Sequence, residues 1–454
     1  MLILDYPEWS QHSIVSVLVP EVAYALTPEL KRVDEILQDE AFEAPIIERF
    51  DTQLGRPTVP VRVYIRLIFL KSYLGLSYED LVPEVTHNLM YRNFCRIPIE
   101  QKVPDETALM KITTRYGEDI VNEINRKLLG YLIKHKLVKG RKLRVDTTVV
   151  EANIAHPTDA GLLYEGVKVL EKAATRIKKL FNKNARGSKK NTRKMKEKLQ
   201  SIGKAFRRRT NDAVKEVRQI TGEMAEIAKE AVKQAEDLVR KLVPESVKDI
   251  GLVGDLIDTA GKLRKAIRQS EEVNAGNTNL KDRLVSIHDP DARPIVKGKP
   301  GKPVEFGYKV QLSECEGGII TGYQVYKGNP GDTTLMDDAL NEYIEIFKKP
   351  PREMALDRGY YDSKNEKSAY GAGVKHICIP KSGRKSKTRT EFENSRTFKR
   401  LKRWRAGIEG RISCLKRRFG LRRSMMRGHR RTVMWTGFGV FANNLRQAAR
   451  LMVI

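Results

Sequence analysis

One acidic side chain stands in the strongly basic C-terminal end of the chain, and its neighbours suggest metal and phosphate chemistry. Residues 394–454 contain seventeen Lys and Arg but one acidic side chain, Glu409. At about 100° per residue, a helix would place Arg405, Glu409 and Lys416 within roughly 40° of one another. One helical face would then carry a positive, a negative and a positive charge, as a site for a divalent cation and phosphates needs. The alternative interpretation is an exposed i,i+4 ion pair on a helix that faces DNA.

Two aspartates lie where strands are predicted and could supply further metal ligands. From Lys142 to Ile154 the residues alternate with strand spacing, and Asp146 falls inside this stretch, where Asp is unfavourable. A role as a metal ligand on a strand explains Asp146 better than a role as a buried, hydrogen-bonded Asp. The second interpretation stays open. Asp357 directly follows a short predicted strand, Glu353–Leu356. Asp332 competes with Asp357 as the second ligand, although its turn setting favours a helix N-cap.

Three carboxylates on strands and a helix define a recognisable type of catalytic site. Oxygen ligands are those that Mg²⁺ prefers, and strand ends are where sites assemble in α/β sheets. Such a set could hold two ions about 4 Å apart, one activating water or a DNA 3′-hydroxyl and the other stabilising the leaving oxygen. No Ser-His-Asp arrangement offers a competing chemistry.

The distribution of charge indicates a polyanionic partner, most simply nucleic acid. The net charge is +28, yet residues 1–100 carry fifteen Asp or Glu against nine Lys or Arg, whereas residues 394–454 carry +16. No run of 18 apolar residues predicts a membrane helix, and the N-terminus lacks a basic signal-peptide region. The four scattered cysteines favour a reduced cytosol and argue against structural zinc.

The chain divides into four stretches of different character. Within the third, apolar residues recur at alternating spacings of four and three, as at Leu163, Val167 and Leu170, which predicts a bundle of about four helices inserted as an arm. The predicted breaks between these helices lie at Arg186, near Thr210 and at Pro244. The stretches are 1–138, a helical and DNA-binding domain; 139–158, the first strand of the catalytic core; 159–280, the arm; and 281–454, the rest of the core with basic C-terminal helices.

Local signals predict several element boundaries. Ser77 is expected to cap a helix, Pro104-Asp105 to open another helix running towards Leu137, and Asp332 or Thr333 to cap a helix reaching about Phe347. The turn Glu316-Gly-Gly, between two stretches of period two, predicts a hairpin. The strands of the hairpin are predicted at Val304–Leu312 and Ile319–Tyr326, a later strand at Val374–Pro380, and a basic linker at Lys381–Arg389.

Taken in order, three segments resemble the catalytic-carboxylate segments of bacterial insertion-sequence transposases of the DDE superfamily. They are Arg144-Val-Asp146-Thr-Thr-Val-Val-Glu151, Ala355-Leu-Asp357-Arg-Gly359-Tyr and Arg405-x-x-x-Glu409-x-x-x-x-x-x-Lys416. The third resembles the signature Tyr-x-x-Arg-x-x-x-Glu-x-x-x-x-x-x-Lys of one large branch, except that Lys402 stands at the tyrosine position. The segment from Ser77 to Phe94 resembles the N-terminal helical domain of these transposases.

This resemblance implies a fold, an activity and a set of site residues. The fold would be α/β, a ribonuclease-H-like mixed sheet with an inserted helical bundle and an N-terminal all-helical domain. The protein would cut double-stranded DNA at transposon ends and join them to a target, as a homodimer in the bacterial cytoplasm, associated with the nucleoid. Asp146, Asp357 and Glu409 would be catalytic and would bind Mg²⁺ or Mn²⁺, as two ions. The residues expected to contact DNA are Arg405, Lys416, Lys402, Arg411, Arg417, Arg422 and Arg423.

Two other functional classes remain open at this point. One is a nuclease of the same fold that hydrolyses DNA without joining strands. The other is a non-catalytic DNA-binding protein, which charge alone supports and which the presence of all three acids with Arg405 and Lys416 disfavours. The preference for a transposase over a nuclease rests on the resemblance.

Overall fold

A computed structural model describes residues 1–10, 19–50, 57–181, 189–241, 246–299 and 302–453. The chain forms two compact units, of which one comprises Met1–Asn153 with Gly307–Ile454 and the other Ile154–Phe306. The first is called the core unit and the second the arm unit. None of the helices in the described ranges has the length and apolar character that crossing a membrane requires.

The N-terminal part of the core unit is helical, as predicted. Ser77 caps α4, because its hydroxyl accepts a hydrogen bond from the backbone N–H of Asp80. Asp105 caps α6 in the same way through the N–H of Ala108, and α6 is kinked at Gly117, whose φ is 74°. The helices are α1 (Pro28–Ile36), α2 (Ala44–Ile47), α3 (Val61–Leu74), α4 (Tyr78–His87), α5 (Leu89–Phe94) and α6 (Glu106–Lys134).

A mixed sheet forms the centre of the core unit. β1 pairs with β3 antiparallel and with β5 parallel, β5 pairs with β6 parallel, and β3 and β4 form the predicted hairpin. In the arm unit, β2 pairs with β3. The strands are β1 (Lys142–Glu151), β2 (Arg293–Lys299), β3 (Lys302–Glu314), β4 (Ile320–Tyr326), β5 (Glu353–Leu356) and β6 (His376–Cys378). The α/β class, the mixed sheet and the N-terminal helical region are therefore confirmed.

Five further α-helices of the core unit lie within the described residues. α14 packs on β1, β5 and β6, with Phe398 and Leu401 buried against the sheet. α15 is buried along most of its length and contacts α3, α6 and β4. The helices are α11 (Met336–Phe347), α12 (Ser363–Gly371), α13 (Lys387–Asn394), α14 (Arg396–Arg418) and α15 (His429–Leu451).

Three local predictions in this region are wrong. The prediction that Asp332 or Thr333 caps a helix fails, because α11 begins at Met336 after Leu335, with no side-chain cap, and Asp332 instead opens a short 3-10 turn. The predicted strand at Val374–Pro380 is only three residues long. Part of the predicted basic linker is helical, since α13 begins at Lys387.

The arm unit contains the four helices predicted from the alternating apolar spacing. Leu163, Val167 and Leu170 are buried in a shared apolar core, to which all four helices contribute. Thr210, at one predicted break, caps α9 by accepting a hydrogen bond from the N–H of Ala213. The predicted breaks at Arg186 and Pro244 lie outside the described residues. The helices are α7 (Asp159–Phe181), α8 (Lys190–Phe206), α9 (Asn211–Arg240) and α10 (Val247–Asn274).

Candidate active site

The register of two parallel strands brings Asp146 and Asp357 side by side. In the pairing of β1 with β5, Val145 lies opposite Leu356. The next residue along each strand is an aspartate, so Asp146 and Asp357 stand at the same level of the sheet. β5 ends at Leu356, and Asp357 is the first residue of the following loop. The carboxyl end of a strand is a common position for reactive groups in α/β sheets.

α14 brings the third carboxylate and a guanidinium to the same place. Arg405 and Glu409 are one turn apart, and the Arg405 Nη1 donates to Glu409 Oε1 at 3.1 Å. The Nη2 of Arg405 lies 2.8 Å from Asp146 Oδ2 and 3.7 Å from Asp357 Oδ2. Three carboxylates that are far apart along the chain thus converge on one guanidinium.

The site is half buried at its base and open on the side of Glu409. The side chains of Asp146 and Arg405 are each 15% exposed, whereas Asp357 is 45% and Glu409 66% exposed. The other oxygen of Asp146, Oδ1, accepts the backbone N–H of Thr147 at 2.8 Å, which fixes the orientation of the carboxylate. The Arg405 Nε is buried and has no hydrogen-bond partner within the described part of the chain.

A fourth carboxylate, that of Asp332, lies beside the three. The Oδ1 of Asp332 accepts from the Thr147 hydroxyl at 3.2 Å and lies 2.6 Å from the Lys309 Nζ, which balances its charge. Burial, followed by the negative charges of Asp332 and Asp146, raises the pKa of the Tyr360 hydroxyl well above its usual value. The sequence analysis considered Asp332 as an alternative second ligand but favoured a helix cap, because its contacts with Thr147 and Lys309 join residues that are far apart along the chain.

Arg144 and Glu314, which sequence reasoning did not single out, join α14 to the sheet. They are register partners in β1 and β3, and the Arg144 Nε and Nη2 donate to Glu314 Oε2 and Oε1 at 2.9 and 2.7 Å. The Arg144 Nη1 donates to the backbone carbonyl of Trp404 on α14 at 2.5 Å. α14 approaches closely because Gly407 has no side chain; a Cβ there would overlap the Arg144 guanidinium. Arg144 therefore fixes the distance between α14 and β1. In this way it also fixes the positions of Arg405 and Glu409 above the strand.

Comparisons with known proteins agree with this geometry. Residues 22–115 match the family described as Transposase domain (DUF772), and residues 281–445 match the family described as Transposase DDE domain. The chain belongs to the DDE transposases of insertion sequences. Members of this family act on nucleic acid and generally use a divalent metal. Asp357, Glu409 and Arg405 lie inside the second matched range, whereas Asp146 precedes it.

Two relatives match parts of the transposase. An uncharacterized protein, ORF8 in the nfe locus of Rhizobium meliloti, is 28% identical over 141 residues, which are 30% of this chain and 66% of the relative. "Protein DGS1, mitochondrial" of Arabidopsis thaliana is 28% identical over 103 residues, 21% of this chain and 17% of the relative. The chain thus spans just under two thirds of the first relative and about a sixth of the second. No solved structure matches the chain.

The basic residues predicted to contact DNA take different positions in the transposase. Lys416 is half buried on α14. Arg411 faces the protein: its Nε lies 3.4 Å from the fully buried Glu314, and its Nη1 donates to Asn443 Oδ1 at 3.1 Å. A guanidinium engaged in this way supports the fold, and the expectation that Arg411 contacts DNA stays a prediction. The exposed members of the set are Lys402, Arg417, Arg422 and Arg423.

The donor set around Arg405 fits a divalent cation in its chemistry. Among the described residues, no group of three or more His, Cys, Asp or Glu side chains is arranged closely enough to hold a metal ion. Three carboxylates nevertheless gather within 3.7 Å of one cationic side chain, and carboxylate oxygens are the ligands that Mg²⁺ and Mn²⁺ prefer. Arg405 itself supplies the positive charge between them.

Proposed function

We propose that this transposase cuts double-stranded DNA at the ends of its insertion sequence and joins those ends to target DNA. The observation that carries the proposal is the convergence of Asp146, Asp357 and Glu409 on Arg405. A structural ion pair needs one carboxylate for one guanidinium. Three carboxylates around one guanidinium carry excess negative charge, which suits a site that recruits cations.

Asp146, Asp357 and Glu409 would hold Mg²⁺ or Mn²⁺, which, when bound, supplies positive charge to a phosphate and favours ionisation of the attacking hydroxyl. Arg405 balances part of the negative charge of the three carboxylates. Arg144 and Glu314 hold these groups at a constant separation. For such pre-positioned sites, small displacements cost large factors in rate.

The two chemical steps would be the same displacement at phosphorus with different nucleophiles. In cleavage, a water oxygen attacks the phosphorus, the bond from phosphorus to the 3′ oxygen breaks, and that oxygen leaves as a 3′-hydroxyl after taking a proton. In joining, this 3′-hydroxyl attacks a phosphorus of the target strand, and the corresponding bond there breaks. One site serves both steps because each needs only a positioned nucleophile and a stabilised leaving oxygen.

The partner would be double-stranded DNA, held as a complex of two transposase copies with two transposon ends in the bacterial cytoplasm. The exposed Lys402, Arg417, Arg422 and Arg423, on and after the helix that carries Glu409, would contact the DNA backbone. Lys416 lies on the same face of α14 as Arg405 and would bind a phosphate near the scissile bond.

Glu409→Gln tests the proposal with the least change in shape. Because loss of a group that merely supports a metal ligand costs 10- to 100-fold, loss of a ligand should slow cleavage by at least about 100-fold. DNA affinity should stay equal or rise, since one negative charge near the phosphates disappears. The assay incubates transposase, end DNA and Mg²⁺, and it resolves nicked from joined products. The matched control is Glu391→Gln, an exposed glutamate on α13.

Each outcome of this assay selects one class of protein. Joined products that depend on Glu409 support the transposase. Nicked products without joined products would indicate a nuclease of the same fold. DNA binding that does not depend on metal, without any cleavage, would indicate a non-catalytic protein. If the Glu409→Gln variant cuts at the wild-type rate, the three-carboxylate site is wrong.

A further inference from the structure

The core unit contains a buried lysine without a negatively charged partner. Lys71, near the end of α3, is only 3% exposed. Its Nζ lies 3.9 Å from the centre of the Trp435 ring and 4.9 Å from the centre of the Tyr78 ring. Throughout the described part of the chain, no carboxylate or other hydrogen-bond acceptor contacts this ammonium. The two aromatic rings are therefore its main electrostatic support, and such contacts offset only part of the cost of burying a charge.

Hydrogen bonds hold both aromatic rings in place beside Lys71. The Trp435 Nε1 donates to the carbonyl of Gly420 at 2.8 Å, and the Tyr78 hydroxyl shares a hydrogen bond of 2.7 Å with the Thr113 hydroxyl. Burial alone lowers the pKa of Lys71 from 10.5 to about 7. Near neutral pH the lysine is therefore poised between its two forms, and a bound anion would favour the charged one.

Lys71 lines a pocket whose lining also includes two arginines. The pocket has a volume of about 410 Å³, and Arg427 and Arg431 are exposed at its margin. Met425 adds an exposed apolar side chain. Glu79, on the first turn of α4, is the acidic residue of the lining, and it forms no ion pair with Lys71. The lining thus contains three basic side chains and one carboxylate, and this excess of positive charge suits the binding of an anion.

The pocket lies along the strand that carries Asp146. Asn153, just beyond the end of β1, lines the pocket, and its Nδ2 donates to the carbonyl of Met425 at 3.4 Å. Asn153 lies seven residues after Asp146. At roughly 3.3 Å per residue of extended chain, the distance between these two residues is at most about 23 Å. B-DNA rises about 3.4 Å per base pair, so this distance corresponds to about seven base pairs.

We propose that this pocket binds one backbone phosphate of the DNA, roughly seven base pairs from the phosphate on which the three carboxylates act. Lys71 would donate to the phosphate from the interior, and Arg427 and Arg431 would contact it from the margin. The contact would fix the position of the duplex without reading its sequence. This inference rests on the proposed function, because it takes the bound anion to be part of a DNA end.

The test is a scan of end DNA in which single phosphates are replaced by neutral methylphosphonates. For the wild-type transposase, one position should weaken binding by roughly 10-fold, as expected for a charge-assisted contact. With Lys71→Met, binding of unmodified DNA should fall by a similar factor, and the same methylphosphonate should have no further effect. Lys127→Met is the matched control, since Lys127 is exposed on α6; with this variant the effect at that position should remain.

A second measurement needs no variant. An amine-reactive reagent should label Lys71 in the free transposase near neutral pH, and bound end DNA should protect it. If bound DNA leaves the labelling of Lys71 unchanged, the proposal is wrong. A methylphosphonate profile that is the same in the wild type and in Lys71→Met would also overturn it, as would protection by inorganic phosphate alone without any sensitive DNA position.

The two proposals fail in different ways. If the wild-type transposase binds DNA through Lys71 but never cuts it, the proposed function is wrong and the phosphate pocket stands. If it cuts and joins DNA ends while no phosphate depends on Lys71, the pocket is wrong and the proposed function stands.

Discussion

Replacing Lys71 by methionine should stabilise the transposase in the absence of DNA, by an amount that depends on pH. The folded protein lowers the pKa of Lys71 from 10.5 to about 7. At about 1.4 kcal/mol for each pKa unit, holding the charged form in the fold costs about 5 kcal/mol. Methionine fills a similar volume and carries no charge, so its variant avoids this cost.

The sign of the pH dependence follows from proton binding. Between pH 7 and 10.5 the unfolded chain binds a proton on Lys71 that the folded chain does not, so the stability of the wild type rises with pH across this window. The advantage of Lys71→Met should therefore be about 5 kcal/mol at pH 6, about 3 kcal/mol at pH 8 and about 1 kcal/mol at pH 10. For a unit of about 300 residues, 5 kcal/mol corresponds to roughly 8 °C in melting temperature.

Thermal unfolding of both proteins from pH 6 to pH 10, without DNA, measures the difference. A separation of the two melting temperatures that narrows as the pH rises supports the reasoning. A separation that stays constant, or a variant less stable than the wild type at pH 6, would show that the ammonium is well solvated or paired in the fold. Adding end DNA at pH 6 should narrow the separation as well, because DNA binds the wild type more tightly than the variant and therefore stabilises the wild type more.

Two further changes test other parts of the structure. Burial raises the pKa of Glu342 from 4.5 to about 7, so its ionisation destabilises the fold as the pH rises through this window. The Glu342→Gln variant should be about 3 kcal/mol more stable than the wild type at pH 8 and equally stable near pH 4. Equal melting temperatures of the two proteins at pH 8 would contradict this. Gly407→Ala should displace Arg144, lower the free energy of unfolding by about 1–3 kcal/mol and slow DNA cleavage, as thermal unfolding and the cleavage assay measure. The control is Gly410→Ala on the same helix, whose added methyl group meets nothing within 4 Å and should not lower stability.

Features with local causes could be predicted from the sequence. The caps at Ser77 and Asp105 depend on a side chain and a backbone N–H three residues apart, so the sequence contains the whole interaction. The strand ending at Leu356 is bounded by a proline pair and a turn, and the helices of the arm follow from apolar spacing. The proximity of Asp146 to Asp357 depends on strand register, for which the resemblance to a family was needed.

Features with distant causes could not be predicted in this way. Asp332 looked like a helix cap because its neighbours are turn residues, yet its partners are Thr147 and Lys309 on other strands. The inward position of Arg411 did have a signal: six residues of helix place it about 120° from Arg405, away from the face that carries the carboxylates. Lys71 had none, since its burial depends on Trp435, more than three hundred residues later in the chain.

The pairing of Val145 with Leu356 has a consequence for how this element can evolve. Because side chains alternate between the two faces of a sheet, inserting one codon within β1 or β5 would turn an aspartate to the opposite face and remove it from the proposed site. The chain between the two aspartates faces no such restriction where it leaves the sheet, and the whole arm unit is encoded there. We therefore expect that this segment can change in length without moving either aspartate to the other face of the sheet.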